Sequence, residues 1–437
     1  MGKAEMLAYG RNAAASPPAP AAAWPLAKLK AEVRRDVTQD LKIGIHETLA
    51  GLEADWRRME EHADMSPFQS FDWLTAWLKH IGRAQGVLPC IAVGRCGPGD
   101  PLFIMPLMIT RSGPLRVLTW LGSDTNDYNA PILHAGFAVA GGVRLFPALW
   151  TGITAMIRNT PRLRFDFVNL AKMPETVGNQ SNPFLTLPVA LTASRAHAAT
   201  LAASWDEFYG RRSSATRRRD RTKLRRLGEF GEVTYFEPRD DGGRRRIVST
   251  LIALKSRHLA RMGVRNLFAS PGYRAFLDDI ATGGKTRNFV HVSGLKVGET
   301  LAAVNLGLSF RNCFYHILMS YETGDIAKFG PGAAHLRELL RQAIASGKDR
   351  FDFTIGDEPY KKEWCDRELK LYDHLTPASF AGALAVAVGK GYLGLKRAIK
   401  NSPLAWRLYS RARSMAGRLK AAGPAAADAS GSDETNP

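Results

Sequence analysis

Cysteine is scarce in this chain, and its spacing excludes several classes of protein. The four cysteines are Cys90, Cys96, Cys313 and Cys365. They are too few and too scattered to form the disulfide framework of a small secreted protein. None forms a C-x-x-C pair, so the sequence predicts no metal site and no thioredoxin-like centre. This usage is typical of a protein from a reducing cytoplasm.

Long apolar runs are also missing. No uninterrupted run approaches the roughly 20 residues that span a bilayer. The nearest candidate, Phe380 to Gly389, is rich in small residues and ends at Lys390. Residues 1–40 are rich in alanine and proline and lack an apolar core after a basic start, so we expect no secretory signal. We therefore expect a protein that is not integral to a membrane.

Acidic residues are under-represented relative to basic ones. The chain has 60 lysines and arginines against 41 aspartates and glutamates, a formal charge of +19. Such an excess attracts an anionic partner, and nucleic acid, an anionic membrane surface and a phosphorylated cofactor all qualify. Charge alone does not choose among the three.

A short repeat indicates internal duplication. The tetrapeptides Arg164-Phe-Asp-Phe167 and Arg350-Phe-Asp-Phe353 are identical, and each follows a segment with helical spacing of apolar residues. The matched context favours a duplicated α/β unit over chance. With 437 residues, the chain is also long enough for two domains of typical size and tails.

The pattern of apolar residues divides the chain into four segments. We predict a disordered leader (1–40), a first mixed α/β unit (41–190), a second (191–380) and a basic tail (381–437). Each unit has antiparallel strands followed by a helix and a strand. In the first unit we predict strands at 40–46, 87–96, 102–111, 116–121 and 164–170, and helices at 48–59, 70–78 and 143–157. In the second we predict strands at 232–237, 290–297, 300–310 and 312–321, and helices at 214–227, 244–262, 273–282 and 333–346.

Two neighbouring segments of the second unit can carry chemistry. The turn Phe329-Gly-Pro-Gly332 opens a helix, and backbone N–H groups at a helix N-terminus bind anions such as a pyrophosphate. It lacks the lysine and hydroxyl of a Walker A loop, and the same letters also serve as a plain strand-to-helix turn. The loop Gly356 to Trp364 concentrates ionisable groups beside a strand that should be buried, which suits acid–base work or an ion-paired surface loop.

Two basic segments are candidates for contact with anions. On a helix, Arg217, Arg221 and Arg225 share one face, which suits phosphates or a solvated surface. No helix-turn-helix, zinc finger or RNP-type motif accompanies them, so we expect no sequence-specific binding of nucleic acid. The segment Tyr392 to Arg413 mixes Trp, Tyr and Leu with Lys and Arg, which suits a helix on an anionic membrane or one packed on its own protein.

Several motifs resemble the CelD/BcsL-like acetyltransferases of the GNAT acyltransferase superfamily, which are associated with bacterial cellulose and exopolysaccharide production. The resemblance spans about residues 41–375. The motifs that carry it are Pro67-Phe-Gln-Ser-Phe-Asp-Trp-Leu-Thr-Ala-Trp77, Leu102-Phe-Ile-Met-Pro-Leu107, Leu118-Thr-Trp-Leu-Gly-Ser-Asp-Thr-Asn-Asp-Tyr128, Tyr315-His-Ile-Leu-Met-Ser-Tyr321, Gly330-Pro-Gly332 and Asp352-Phe-Thr-Ile-Gly-Asp-Glu-Pro-Tyr-Lys-Lys-Glu-Trp364. It implies an α/β fold with mixed sheets, built as two tandem GNAT-like acyl-CoA N-acyltransferase domains, as in the FemAB peptidoglycan transferases.

The resemblance also implies an acyl donor and a place for it. The donor would be acetyl-CoA or another acyl-CoA, used as a co-substrate, with no permanently bound cofactor. The superfamily pattern Arg/Gln-x-x-Gly-x-Gly is represented here by Lys328-Phe-Gly-Pro-Gly332. We accordingly predict that the donor is bound by Lys328, Gly330, Gly332, Ala333, Arg217 and Arg221.

The acceptor would be a saccharide or an amine that attacks the thioester directly. From charge and location we predict Asp357 or Glu358 as base, Tyr360 as proton donor to the thiolate and Lys361 for stabilisation of the anion. We expect a cytoplasmic protein with peripheral contact to the inner membrane or to a polysaccharide synthase. Two alternatives stay open: a FemAB-type transferase that takes its donor from aminoacyl-tRNA, and a non-enzymatic accessory protein docked on the membrane.

Overall fold

The computed structural model describes residues 41–97, 99–264 and 266–402. The predicted leader (1–40) and residues 403–437 of the predicted tail lie outside the described residues. Within the described part, two large mixed sheets and a small hairpin are surrounded by helices. No helix there combines the length and apolar character needed to cross a membrane.

The first half of the chain builds most of the first sheet. Its strands are β1 (Leu41–His46), β2 (Leu88–Cys96), β3 (Phe103–Ser112), β4 (Leu115–Trp120), β5 (Ile132–Leu133), β6 (Phe167–Pro174), the hairpin β7 (Thr176–Val177) and β8 (Gln180–Ser181), and β9 (Ala190–Leu191). Its helices are α1 (Glu53–His62), α2 (Phe71–Trp77) and α3 (Gly142–Asn159). Helix α3 buries a stripe that recurs every three or four residues: Phe146, Trp150, Ile153 and Ile157.

The second half builds the second sheet. Its strands are β10 (Ala196–Thr200), β11 (Val233–Phe236), β12 (Val290–Val297), β13 (Thr300–Phe310), β14 (Cys313–Tyr321), β15 (Arg350–Ile355), β16 (Arg367–Leu369) and β17 (Leu371–Pro377). Its helices are α4 (Trp205–Gly210), α5 (Ser214–Gly228), α6 (Asp241–Arg261), α7 (Pro271–Thr282), α8 (Pro331–Ala345), α9 (Pro359–Trp364) and α10 (Phe380–Asn401).

The two sheets have the same plan. The first runs β1-β2-β3-β4-β6-β17-β9, and the second runs β11-β12-β13-β14-β15-β10-β16. In each, four antiparallel strands lead through a helix to a fifth strand that pairs in parallel with the fourth. The fifth strands share a further detail, since Lys172 in β6 and Thr354 in β15 both have positive φ at a bulge. The expected mixed α/β fold of two related units is therefore confirmed.

One strand of the second half crosses to the first sheet. Strand β17 comes from the end of the chain yet pairs with β6 in the first sheet, whereas β10 pairs with β15 in the second. A large core also spans both halves, and Trp73 of α2 meets Phe276 of α7 edge to face at 5.1 Å. The predicted division at residue 190 stays a prediction, but residues 371–377 complete the first sheet.

Three predicted elements differ in the structure. Helix α1 begins at Glu53 rather than at residue 48, because Gly51 adopts positive φ in a turn. Strand β6 begins at Phe167, since Asp166 lies in a turn where its carboxylate accepts from the backbone N–H of Arg116. The first tetrapeptide thus precedes its strand, whereas Arg350 to Phe353 lie within β15. The predicted loop 356–364 contains the short helix α9, which begins at Pro359.

Candidate active site

The second sheet opens where β14 and β15 stop pairing. The two strands pair in parallel only from Cys313 to Tyr315 and from Arg350 to Asp352, although both continue beyond these residues. Thr354, with φ of 57°, redirects β15 at this point. Backbone groups that would otherwise complete the ladder are left along the opening, where an extended ligand can pair with them.

A cavity of about 670 Å³ occupies this opening. Its walls come from α5, α6, α8, α9 and the unpaired ends of β14 and β15. The lining includes Arg219, Lys223, Lys255, Arg257, Arg261, His316, Glu358, Tyr360 and Lys361, together with Gly330, Gly332 and Ala333. The glycine turn and the ionisable segment, separate in the sequence analysis, thus meet in one cavity.

Helix α8 points its N-terminus at the cavity. Gly330 precedes the helix with φ of 68°, and Pro331 occupies the first helical position. The N–H groups of Gly332 and Ala333 lie in the first turn, where they have no intrahelical acceptor. Gly332 is required for space as well, because a Cβ there would lie 2.7 Å from the Tyr321 ring. Lys328 does not line the cavity, and its ammonium lies 5.2 Å from the centroid of the Phe329 ring.

The basic wall of the cavity uses different residues of α5 from those predicted. Arg219 and Lys223 line the cavity, whereas Arg217 and Arg221 do not. The reason is the rotation of the helix, which is fixed by buried Leu227 and by Asp220, the acceptor of a 2.9 Å hydrogen bond from the Tyr209 hydroxyl. Residues 220, 223 and 227 share that inward face.

The predicted acidic pair is separated by the backbone turn before α9. Glu358 lines the cavity, whereas Asp357 does not. The Asp357 carboxylate faces β10 instead, 3.4 Å from the backbone nitrogen of Arg195 and 3.5 Å from Nε2 of His197. Only one of the two predicted base candidates therefore reaches the cavity.

Lys361 is buried and fully engaged. Its ammonium donates to the carbonyl oxygens of Thr354 (3.2 Å) and Ile355 (3.1 Å) and pairs with the Glu358 carboxylate at 3.0 Å. These contacts use all three N–H donors of a lysine. Lys361 thus anchors α9 to the end of β15 and holds Glu358 at the cavity wall.

Tyr360 also lines the cavity. Its ring contacts the ring of Phe353, with centroids 6.2 Å apart. Burial, together with the neighbouring Glu358 charge, raises the pKa of its hydroxyl above the ordinary value. The phenol is therefore protonated at neutral pH, as a proton donor must be.

His316 and Lys255 also line the cavity, and neither was among the predicted site residues. His316 is buried in β14, and its Nε2 has no hydrogen-bond partner within the described residues. Burial, with smaller effects from Lys361 and Lys255, lowers the pKa of His316 to about 3, so the imidazole is neutral. Burial likewise lowers the pKa of Lys255 on α6. The sequence alone favours a structural role for a histidine in an apolar strand. The separation of β15 from β14 beyond Tyr315 is what opens the cavity beside His316.

A loop of the first half of the chain packs against β15 beside the site. The Tyr128 hydroxyl donates to the buried Asp352 carboxylate at 2.7 Å, and Asp127 forms a hydrogen bond with the Thr354 side chain near Lys361. Burial raises the pKa of Asp352 to about 6 and also raises that of Asp127. Sequence reasoning missed this loop because its partners lie more than half the chain away. Within residues 41–402 as described, no cluster of three or more His, Cys, Asp or Glu side chains could hold a metal ion.

One family model matches part of the second half of the chain. Residues 214–362, from α5 to α9, match the family model described as an acetyltransferase (GNAT) domain. No curated protein is significantly similar to the chain in sequence. Among solved structures, FemX has 10% identity and a TM-score of 0.51, with 75% of this chain and 96% of FemX covered. This likeness concerns the fold.

Two further structures resemble the chain more weakly. A conserved protein of unknown function from Bacteroides thetaiotaomicron has 11% identity and a TM-score of 0.47, covering 77% of this chain and all of that one. A tandem GNAT protein from the clavulanic acid biosynthesis pathway has 10% identity and a TM-score of 0.43, with 78% of this chain and 99% of that one covered. Residues 214–362 therefore match a GNAT acetyltransferase domain, within a mixed α/β fold whose two halves share one sheet plan.

Proposed function

We propose that this protein transfers an acyl group from an acyl-CoA, acetyl-CoA being the simplest donor, to an amine or hydroxyl acceptor. The observation that carries the proposal is the cavity between the parted strands β14 and β15, which joins a helix N-terminus and a basic mouth to ionisable groups inside. The donor is a co-substrate that leaves as CoA in each cycle.

The donor has a place along the whole cavity. Its diphosphate would lie at the N–H groups of Gly332 and Ala333, where the helix dipole also favours an anion. Arg219, Lys223 and Arg257 would add charged contacts at the mouth. The amide-bearing arm of CoA is extended and would pair with backbone groups along the opening, which brings the thioester to the inner end.

Glu358 is the base that we favour. In the reaction the acceptor attacks the thioester carbonyl carbon, the carbon–sulfur bond breaks and CoA leaves as a thiolate. Glu358 would take the acceptor proton, and the Tyr360 hydroxyl would protonate the thiolate. Asp357 faces β10, so it is the less favourable of the two predicted bases. Since the Lys361 donors are engaged, Lys361 would act on the developing anion through its charge alone.

The acceptor would bind in the cavity near Glu358, its proposed proton acceptor. The loop with Asp127 and Tyr128 packs against Thr354 and Asp352 outside the cavity lining, so it would position β15 rather than contact the acceptor. The resemblance to CelD/BcsL-like proteins supports an acceptor from exopolysaccharide, cellulose or cell-envelope synthesis, with a polysaccharide synthase as partner. Because acyl-CoA is a cytoplasmic metabolite, we place the reaction in the cytoplasm.

Titration calorimetry with acetyl-CoA and free CoA tests the donor. The double variant Arg219→Ala with Lys223→Ala should bind both at least about tenfold more weakly, because it loses charged phosphate contacts. The matched control is Arg218→Ala with Arg225→Ala, which removes the same charge from exposed positions of the same helix. Absence of binding by the unaltered protein, or equal loss in both variants, would overturn the acyl-CoA proposal.

A second candidate function is aminoacyl transfer from tRNA, as in FemAB-type enzymes. The exposed arginines on the outer side of α5, among them Arg218, Arg221 and Arg225, favour it because they form a basic surface beyond the cavity. Binding of tRNA would then fall steeply with salt and weaken in both double variants, whereas CoA binding would depend on salt only slightly. A non-enzymatic accessory protein, the third alternative, would bind neither donor.

A further inference from the structure

Helix α10 is fastened to the first sheet by one face. Val386 is buried against Val117 and Phe167. The Ser379 hydroxyl donates to the Asp166 carboxylate at 2.8 Å, and a Cβ at Gly382 would overlap the Asp166 carbonyl oxygen. The helix is therefore held in one orientation, and its other face is fixed toward solvent.

That other face carries an exposed apolar stripe. Phe380 is 93% exposed, Leu384 67% and Val388 66%, and the spacing of four residues places them in one row. Ala383 and Ala387, which lie beside the row, are exposed too. Single exposed apolar residues are ordinary, but a continuous apolar row on a fastened helix marks a surface that meets another phase or partner.

The chain that follows the stripe is strongly basic. Between Asp373 and Asp428 the sequence has no acidic residue. The basic residues of this interval are Lys390, Lys396, Arg397, Lys400, Arg407, Arg411, Arg413, Arg418 and Lys420. An apolar row continued by such a segment combines the two attractions that hold a protein on an anionic lipid surface.

We propose that α10 docks this protein on an anionic lipid bilayer, with Phe380, Leu384 and Val388 inserted at the boundary of headgroups and acyl chains. A bilayer fits better than a second copy of the chain, because self-association would bring two strongly basic segments together. It also fits better than a specific protein partner, since one narrow row is far smaller than the roughly 800 Å² per partner of a stable interface. The docking is separate from the acyl-CoA cavity, because α10 packs on the first sheet whereas the cavity opens in the second sheet.

Vesicle sedimentation with the full chain tests the docking. Binding should occur with phosphatidylcholine vesicles that contain phosphatidylglycerol, fall with salt, and be at least about tenfold weaker with phosphatidylcholine alone. The triple variant Phe380→Ser, Leu384→Ser and Val388→Ser should lose at least about tenfold in binding to the anionic vesicles. The control triple variant Val139→Ser, Met156→Ser and Leu224→Ser alters exposed apolar residues elsewhere and should bind normally.

Three outcomes would overturn the proposal. They are no binding of the unaltered chain to anionic vesicles, equal binding by the stripe variant, and equal binding after removal of residues 403–437. Sedimentation velocity tests whether a second copy of the chain covers the row instead. If the unaltered chain forms a dimer but does not bind vesicles, and the stripe variant is monomeric, the row is a dimer contact. Acetyl-CoA binding by the stripe variant provides a check of folding that does not depend on the membrane.

Discussion

Glu358 and Tyr360 are the residues on which the proposed chemistry depends. Glu358→Gln removes the base but keeps the shape of the side chain, so we expect at least about a hundredfold loss in the rate of CoA release with an acceptor. Tyr360→Phe should lower the same rate, because the thiolate loses its proton donor. Acetyl-CoA affinity should change little in either variant, and a thiol-release assay beside calorimetry measures both quantities.

The matched control for these variants is Glu368→Gln. Glu368 is exposed, pairs with Arg195 and lies outside the cavity, so CoA release should keep its normal rate. Normal turnover by a folded Glu358→Gln variant would show that a group other than Glu358 removes the acceptor proton.

The raised pKa of Asp352 predicts that the free energy of unfolding depends on pH. Its pKa is about 6 in the folded protein against an ordinary value of 3.8, so the fold favours the protonated carboxyl. Ionisation therefore lowers the free energy of unfolding as pH rises from about 4 to about 6, by up to about 3 kcal/mol. Asp352→Asn keeps the acceptor oxygen for Tyr128 and cannot ionise, so its stability relative to the unaltered protein should grow across that window.

Denaturant unfolding at several pH values measures this difference. Asp349→Asn is the control, because Asp349 lies just before the same strand but is exposed. A constant difference between Asp352→Asn and the unaltered protein from pH 4 to pH 7 would contradict the raised pKa.

At the scale of the element, helix α8 depends on the conformation of one glycine. Gly330 has φ of 68° and room for a methyl group, with the Ala333 Cβ 3.6 Å away, so a substitution costs backbone energy alone. We expect Gly330→Ala to lower the free energy of unfolding by about 1–2 kcal/mol. Gly152→Ala, at an exposed position of α3, should instead raise it by about 0.5–1 kcal/mol.

Thermal and denaturant unfolding of the two alanine variants give these values. Changes of opposite sign in the free energy of unfolding would support the left-handed conformation of Gly330 before α8, since both substitutions add the same methyl group. If Gly330→Ala left the free energy of unfolding unchanged, residue 330 would not have positive φ before α8. Weaker CoA binding by Gly330→Ala alone would further connect this turn with the donor.

At the scale of the whole molecule, β17 makes the first half depend on the end of the chain. The first sheet needs β17, whereas the second sheet contains its own β10. We expect fragment 41–193 to lack cooperative unfolding alone, because it lacks β17, and to regain it when mixed with fragment 194–402. The full chain should unfold in one step, with tryptophan fluorescence and far-UV circular dichroism coinciding.

Calorimetry of the separate and mixed fragments is the direct measurement. A cooperative transition of fragment 41–193 alone, at the temperature of the full chain, would mean that β17 contributes little to the first sheet. Two separate transitions in the full chain would contradict the shared core, in which Trp73 meets Phe276.

Much of this fold follows from local sequence pattern. The predicted helices 143–157 and 244–262 and the predicted strands 290–297 and 300–310 agree with the structure to within a few residues at each end. Each has a long regular spacing of apolar residues, and such spacing reflects burial on one face. The site residues stay predictions. Gly330, Glu358, Tyr360 and Lys361 line the cavity, whereas Arg217 and Arg221 lie on another face of α5.

The sequence by itself thus determined the helices and strands, the duplication and the two segments that meet at the cavity, because these depend on local spacing and turn chemistry. Only the tertiary structure decided the pairing of β17 with β6, the parting of β14 from β15, and the approach of Tyr128 to Asp352. These features join residues far apart in the chain, and no local pattern encodes which strand pairs with which. For the same reason, the sequence could not show that Asp357 faces β10 while Glu358 faces the cavity.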